Sequence, residues 1–369
     1  MKQFNLLSIL CAGVIALLVT SCQNQVVNFP NFDYTTTFFA YQYPVRTIVL
    51  GEDTYDTSLD NQHKCQIYAT MGGVYANKKL IDISFVVDNS LCNNLYFSAG
   101  GSAVQAMPAN YYTLGSNKIS LDHSLMGAVD VQLTDAFFAD NNSLLNTYVI
   151  PLRMTNVVNA DSILSGVPKV TNAARCNSAL WDVLPKDYVL YCVKYINPWQ
   201  ANYLRRGKDV ISSTTAADTT KVRHNQYVEN DEVVNLSTQS LSSVQFPVSD
   251  HKNFLGTELG LKVKINFTQD QKCTISPAYT ASQVNDSVRV YNIIATGNGE
   301  FIKKGEKNSW GNKDRNALYL GYQLVYEVET TYPKLHLPTV VNKYTVNTTD
   351  TLVVRDRGVK METFTPSYK

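Results

Sequence analysis

The chain has 369 residues, with 32 Lys plus Arg against 31 Asp plus Glu, a net charge of +1. So even a balance offers no basic surface of the kind that neutralises phosphates, which argues against a nucleic-acid binder. The length suits two domains of ordinary size, each able to bury its own core, and the 23 tyrosines, with frequent Val, Thr and Asn, favour strands and turns over helices.

At the N-terminus, Lys2 precedes an apolar run from Leu6 to Val19 that ends in Val19-Thr20-Ser21-Cys22. The pattern is that of a bacterial lipoprotein signal peptide, with a charged start, an apolar stretch and small residues before a cysteine. The run is shorter than the roughly 20 residues needed to span a bilayer. Residues 1–21 therefore read as the signal, Cys22 as the lipidated first residue of the mature chain, and 22–28 as a short tether. Several acyl chains hold a protein on a membrane where a single chain does so marginally.

Beyond the tether, apolar residues alternate. Ile81, Ile83, Phe85 and Val87 share one face, as do Val129, Val131 and Leu133, and then Tyr148, Ile150, Leu152 and Met154. A period of two marks half-buried strands. About seven such candidates from Phe38 onward predict an Ig-like β-sandwich over residues 29–165. Residues 166–187 hold two prolines and no sustained alternation, and read as a linker. Longer candidates follow at Tyr188–Ile196, 233–248, 258–269, 287–296, 317–329 and 351–354, which predicts an up-and-down antiparallel barrel over 188–369. Short helical turns are expected near Ser124 and over 135–145, and Gly297-Asn298-Gly299 reads as a turn or a strand distortion. The fold expected is all-β throughout.

Few residues carry a chemical signature. The odd set Cys65, Cys92, Cys176, Cys192 and Cys273 cannot pair completely; buried free thiols are favoured over a Cys65–Cys92 bridge. His63, His123, His224, His251 and His336 lack metal-ligand spacing. Neither a nucleophile elbow nor a phosphate loop is present, so no enzyme, metal or cofactor is expected. A glycosidase carboxylate pair is the enzymatic alternative, because such a pair is defined by separation in space. Aromatics are more suggestive: Trp310, Trp199, Tyr203 and Trp181 are the candidates for stacking on a sugar ring, against a structural role for each.

Asn197-Pro198-Trp199-Gln200-Ala201-Asn202-Tyr203 resembles the first-strand W-x-x-x-Y feature of lipocalin-like barrels. In that family the tryptophan closes the barrel end and stacks on an arginine of the last strand, which makes Arg355 and Arg357 the candidate partners here. More broadly, Tyr41-Gln42-Tyr43-Pro44-Val45-Arg46-Thr47, Met107-Pro108-Ala109-Asn110-Tyr111-Tyr112-Thr113 and Tyr148-Val149-Ile150-Pro151-Leu152 carry a resemblance, together with residues 194–208 and 297–320 and the polar hairpin 304–315. The chain resembles Bacteroidetes outer-membrane lipoproteins of polysaccharide-utilisation loci, with an Ig-like domain of unknown function and a C-terminal lipocalin-like β domain. The same kind of Ig-like domain precedes some family-18 glycoside hydrolases, but no length remains here for their catalytic barrel.

The resemblance implies a non-catalytic accessory that holds glycan near an outer-membrane transporter, anchored by lipid at the cell surface. Gln23-Asn24-Gln25-Val26-Val27 lacks the acidic run common after the lipidated cysteine, which leaves the periplasmic face open. It also implies O-glycosylation at Asp161-Ser162, Asp218-Thr219, Asp286-Ser287 or Asp350-Thr351. The alternative function is an adhesin or envelope assembly protein that binds another protein through strand edges.

Overall fold

The computed structural model describes residues 30–51, 56–248, 251–253, 255–332 and 337–369; the signal, Cys22, residues 23–28 and His336 lie outside them. Among the described residues the fold is all-β apart from single helical turns. In the N-terminal half, strands β1 (Thr36–Phe38), β2 (Pro44–Val49), β3 (Lys64–Gly72), β4 (Leu80–Val87), β5 (Tyr112–Leu114), β6 (Lys118–Asp122), β7 (Met126–Leu133), β8 (Tyr148–Val158), β9 (Ser162–Ile163) and β10 (Tyr188–Ile196) build two sheets. The first runs β9-β1-β3-β7-β5; the second runs β2-β10-β8-β4-β6, with Glu362–Thr363 added beside β2.

The alternation read from the sequence explains how the sheets face each other. Cys65, Ile67, Ala69 and Met71 of β3 and Val129, Val131 and Leu133 of β7 meet Ile81, Ile83 and Phe85 of β4 and Ile150, Leu152 and Met154 of β8. Strands β8 and β10 are buried on both sides. Val149, Leu190 and Cys192 point away from that core into a second cluster with Leu91, Leu95, Phe97, Val104 and Phe364.

This two-sided burial corrects one expectation. Tyr188–Ile196, read as the first barrel strand, is hydrogen-bonded into the second sheet. It runs antiparallel to β8, with Tyr191 opposite Ile150, and parallel to β2, with Tyr195 opposite Ile48. A run apolar on both faces belongs between two packed layers; a strand wet on one side would alternate. The 166–187 stretch also contributes packing: Val167–Pro168 pairs with Trp181–Val183, and Trp181 is buried.

The C-terminal half is one large antiparallel sheet. Its main strands are β11 (Ala201–Ser213), β12 (Thr219–Arg223), β13 (Glu232–Ser240), β14 (Ser243–Pro247), β15 (Lys262–Phe267), β16 (Lys272–Pro277), β17 (Val288–Ser309), β18 (Lys313–Tyr332) and β19 (Leu337–Asp356), with Ser282–Asn285 added beside β17. They are joined β12-β11-β13-β14-β15-β16-β17-β18-β19, and β19 pairs back onto β11 from Asn202 to Ser213, so the strand order returns to its first long member. Val263, Ile265 and Phe267 point into the shared core while Lys262, Lys264 and Asn266 do not. Leu259 and Leu261, expected within that strand, are buried ahead of it.

Gly297 and Gly299 form no turn. They pair with Tyr322 and Leu320 in the β17–β18 ladder. A Cβ on Gly297 would stand 2.5 Å from the Tyr322 Cβ, so glycine is what lets the tyrosine cross the interior. The helical turn expected over 135–145 is present as Asp135–Ala139 followed by Asn141–Leu144.

The two halves meet at one end of the first. Arg357 donates to the carbonyls of Leu50 at 3.2 Å and Asn197 at 2.8 Å. The buried Asn197 amide donates to Ser240 O and Ser243 O, both at 2.9 Å. Gly51, at φ +96°, lies against Pro198, where a Cβ would come within 2.9 Å.

Candidate functional site

The interior of the large sheet is layered. Next to the junction it is apolar: Trp199 lies parallel to Phe267 at 4.1 Å, and the Tyr203 hydroxyl donates to Trp199 O at 2.8 Å. The next layer is charged. Arg205 donates through Nε and Nη2 to Asp350 Oδ2 at 3.0 and 2.9 Å, and its guanidinium sits over Phe246. Arg223 donates to Asp350 Oδ1 at 2.7 Å and to both Asp209 oxygens. Tyr322 donates to Asp350 and Thr348 to Asp209. Asp350 and Arg205 are fully buried. Burial pushes the Asp209 carboxyl up, but hydrogen bonds from Arg223 and Thr348 outweigh it and hold the group below the usual carboxylate range. Gly207 makes the space, since a Cβ there would lie 2.3 Å from Asp350 Oδ1.

Above this layer stands His251, buried, with Nδ1 3.4 Å from the Tyr326 hydroxyl. Burial pushes its pKa down from 6.5 to about 4, with the charges of Arg205 and Arg223 acting the same way and Asp209 opposing. The folded protein therefore keeps His251 neutral where the unfolded chain would already be protonated. Its contribution is complete above about pH 6.5 and is lost at up to ~1.4 kcal/mol per pH unit as the pH falls toward 4. His251→Gln should flatten that part of the stability profile, measured by urea unfolding at about pH 7 and about pH 5.

The structure separates the aromatic candidates. Trp199, Tyr203 and Trp181 are 6 %, 0 % and 7 % exposed, which leaves no ring face for a sugar. The Trp181 indole donates to Ala174 O at 2.9 Å and the Trp199 indole to Gln271 Oε1 at 3.1 Å. Trp310 is half-buried at the tip of the β17–β18 hairpin. Its indole donates to Val354 O at 3.2 Å, and the Arg315 guanidinium lies 3.4 Å over its ring. Arg355 is exposed beside Asp356, and Arg357 makes the junction contacts.

The five cysteines past Cys22 are free. Cys65 belongs to the core between the sheets and Cys92 to the cluster behind the second sheet, so the considered Cys65–Cys92 bridge is not formed. Burial pushes these two thiols up to about 12, far from nucleophilic. Among the described residues, no group of three or more His, Cys, Asp or Glu side chains could hold a metal, and no helix is long and apolar enough to cross a membrane.

Two clefts among the described residues are open to solvent and large enough for a ligand. One, of about 420 Å³, lies behind the second sheet between Asp88, Asn93, Asn94, Asn172, Arg175 and Tyr368. Its charged groups are already engaged: Asp88 takes Arg153 at 2.7 Å, and Arg175 grips both oxygens of Asp187. The other, of about 580 Å³, lies on the outer face of β17, β18 and β19 at the end away from the junction. Tyr291, Glu327 and Lys343 form one cross-strand row, with Ile294 and Val325 in the next. Thr280 and Ala281 close the side, and the Arg289 guanidinium lies 5.3 Å over the Tyr291 ring.

A register shift between Tyr291 and Ile294 places Asn292 at φ +51°. The bulge turns Ile293 inward and leaves Ile294 56 % exposed on the cleft floor. Burial, and then the Glu327 carboxylate opposite it, raise the Tyr291 phenol above its ordinary range. The sequence reading missed this cleft, although Tyr291 and Ile294 break the alternation of their strand.

A protein of unknown function from Bacteroides ovatus is 44 % identical to this chain over 92 % of its length and all of the other's, with a TM-score of 0.80. The two belong to one family. A model described as a domain of unknown function, DUF5627, matches residues 198–358 of this family member, and a model described as an N-terminal domain matches residues 30–161. The gap between the two matches contains β10 and the 166–187 stretch. More distant is a Bacteroides ovatus multidomain protein including DUF1735, 11 % identical over 89 % of this chain and all of its own, TM-score 0.38. An auxiliary nutrient binding protein from Bacteroides thetaiotaomicron is also 11 % identical, over 86 % of this chain and 95 % of its own, TM-score 0.35. No curated protein matches the chain.

Proposed function

We propose that the protein is a non-catalytic, glycan-binding lipoprotein of the outer membrane, lipidated at Cys22, with an Ig-like sandwich extended to Ile196 and a lipocalin-like barrel beyond it. It would serve polysaccharide capture, beside a transporter. The observation that carries this reading is the Tyr291 cleft. A sugar offers an apolar ring face and a rim of hydroxyls that both donate and accept. Tyr291, Ile294 and Val325 supply the apolar floor; Arg289, Lys343, Asn292 and Glu327 supply donors and acceptors around it. The cleft is shallow and open, which suits a long chain passing across it. Weak single contacts would be strengthened by many copies on one membrane.

Affinity gel electrophoresis of the protein from Gln23, on a panel of plant and host polysaccharides, tests this. Retention on at least one is expected, and Tyr291→Ala should weaken it about tenfold, or ~1.4 kcal/mol, while Trp310→Ala leaves it intact. Free migration on every polysaccharide would overturn the function. Retention that survives Tyr291→Ala would overturn the site.

A further inference from the structure

The end of the sandwich remote from the barrel carries exposed rings that glycan capture does not use. Phe32, Tyr34 and Tyr75 are 78 %, 57 % and 65 % exposed, and Leu80, Met126 and Val158 are exposed at the same end. The backbone that carries them is tied down. Phe32 N donates to Gly73 O at 2.8 Å, and Tyr75 N donates to Asn31 Oδ1 at 2.9 Å. Gly73, at φ +101°, admits the entering segment, because a Cβ there would lie 2.3 Å from Tyr34 O. Asn77 ties the same connection to Leu121 O and Ser124 O in the β6–β7 hairpin. Exposed apolar side chains gathered at one end on a backbone tied down in this way point to an interaction surface.

We propose that this end stands on the membrane, with the rings at the headgroup level. The inference rests on the lipidated Cys22. Eight Cα steps separate Cys22 from Pro30, a reach of at most about 29 Å, which keeps Phe32 close to the lipid surface. Tyr and Phe carry an apolar body that favours the membrane–water interface. Lys78 and Lys79 are exposed beside Tyr75 and can meet lipid phosphates, but Asp33, Asp122 and Asp161 share this end. The attraction is therefore assigned to the rings and not to net charge. Topology agrees: the nine residues of β3 run from Lys64, near the junction, to Gly72 beside the rings. A footing there holds the barrel about 30 Å or more off the surface.

The test uses the protein from Gln23 with an N-terminal hexahistidine tag on vesicles that contain a nickel-chelating lipid and brominated acyl chains. Tryptophan reporters are placed as Phe32→Trp and Tyr75→Trp, with Tyr227→Trp on the barrel as the control. Brominated chains should cause about a two-fold loss of the added emission at 32 and 75 and none at 227. Unchanged emission at both sites while the protein floats with the vesicles would overturn the footing. Mass spectrometry of the native protein reads the anchor separately: absence of a diacylglycerol on Cys22 would remove the anchored reading and this footing with it, whatever the glycan gels show.

Discussion

Asp350→Ala is expected to destabilise the protein by about 3–5 kcal/mol, read as a lower urea midpoint with an unchanged slope. Asp350 accepts from Arg205, Arg223 and Tyr322 inside the large sheet, and neither it nor Arg205 reaches solvent. Removing the carboxylate leaves two guanidinium groups facing each other across a cavity, with Asp209 beside one and Glu232 beside the other. An uncompensated buried charge costs far more than the pair contributes when intact. Asp350→Asn keeps an acceptor and should lose less than alanine does. A loss from Asp350→Ala below about 1 kcal/mol, the range of surface ion pairs, would contradict a dry interior.

Trp199→Ala should cost a comparable amount, about 3–5 kcal/mol, from lost burial and the cavity left behind. The ring lies parallel to Phe267 and bonds Gln271 through its indole nitrogen, and its carbonyl takes the Tyr203 hydroxyl. The substitution therefore uncovers the apolar layer at the junction, where Asn197 and Arg357 also act. A thermal melt should drop by several degrees, while Tyr291-dependent glycan retention at the far end of the sheet persists below the melt. If Trp199→Ala left the melt unchanged and abolished retention, the ring would be a ligand contact and the packing argument would fail.

Much of the fold was legible because period-two burial is local. Ile81, Ile83 and Phe85, and again Val263, Ile265 and Phe267, announce their core faces without reference to any partner. Tyr188–Ile196 misled because a strand buried on both faces has no alternation to place it, and its neighbours β2 and β8 lie far along the chain. The exposure of the aromatic candidates was illegible for a related reason. Trp199, Tyr203 and Trp181 have the chemistry of a sugar platform, but exposure is set by what packs over a ring, and that is not written beside it.

The sequence by itself determined the all-β class, the balanced charge, the short apolar run ahead of Cys22 and most core faces, because composition and periodicity act over a few residues. Tertiary structure alone decided the rest. It paired β19 with β11, buried Arg205 against an aspartate 145 positions away, and lined up Tyr291 with Glu327 and Lys343 across three strands. It also gathered Phe32, Tyr34 and Tyr75 at one end of the two N-terminal sheets. Register and burial depend on which strands meet, and that choice is made by the whole chain minimising exposed apolar surface and unpaired polar groups together.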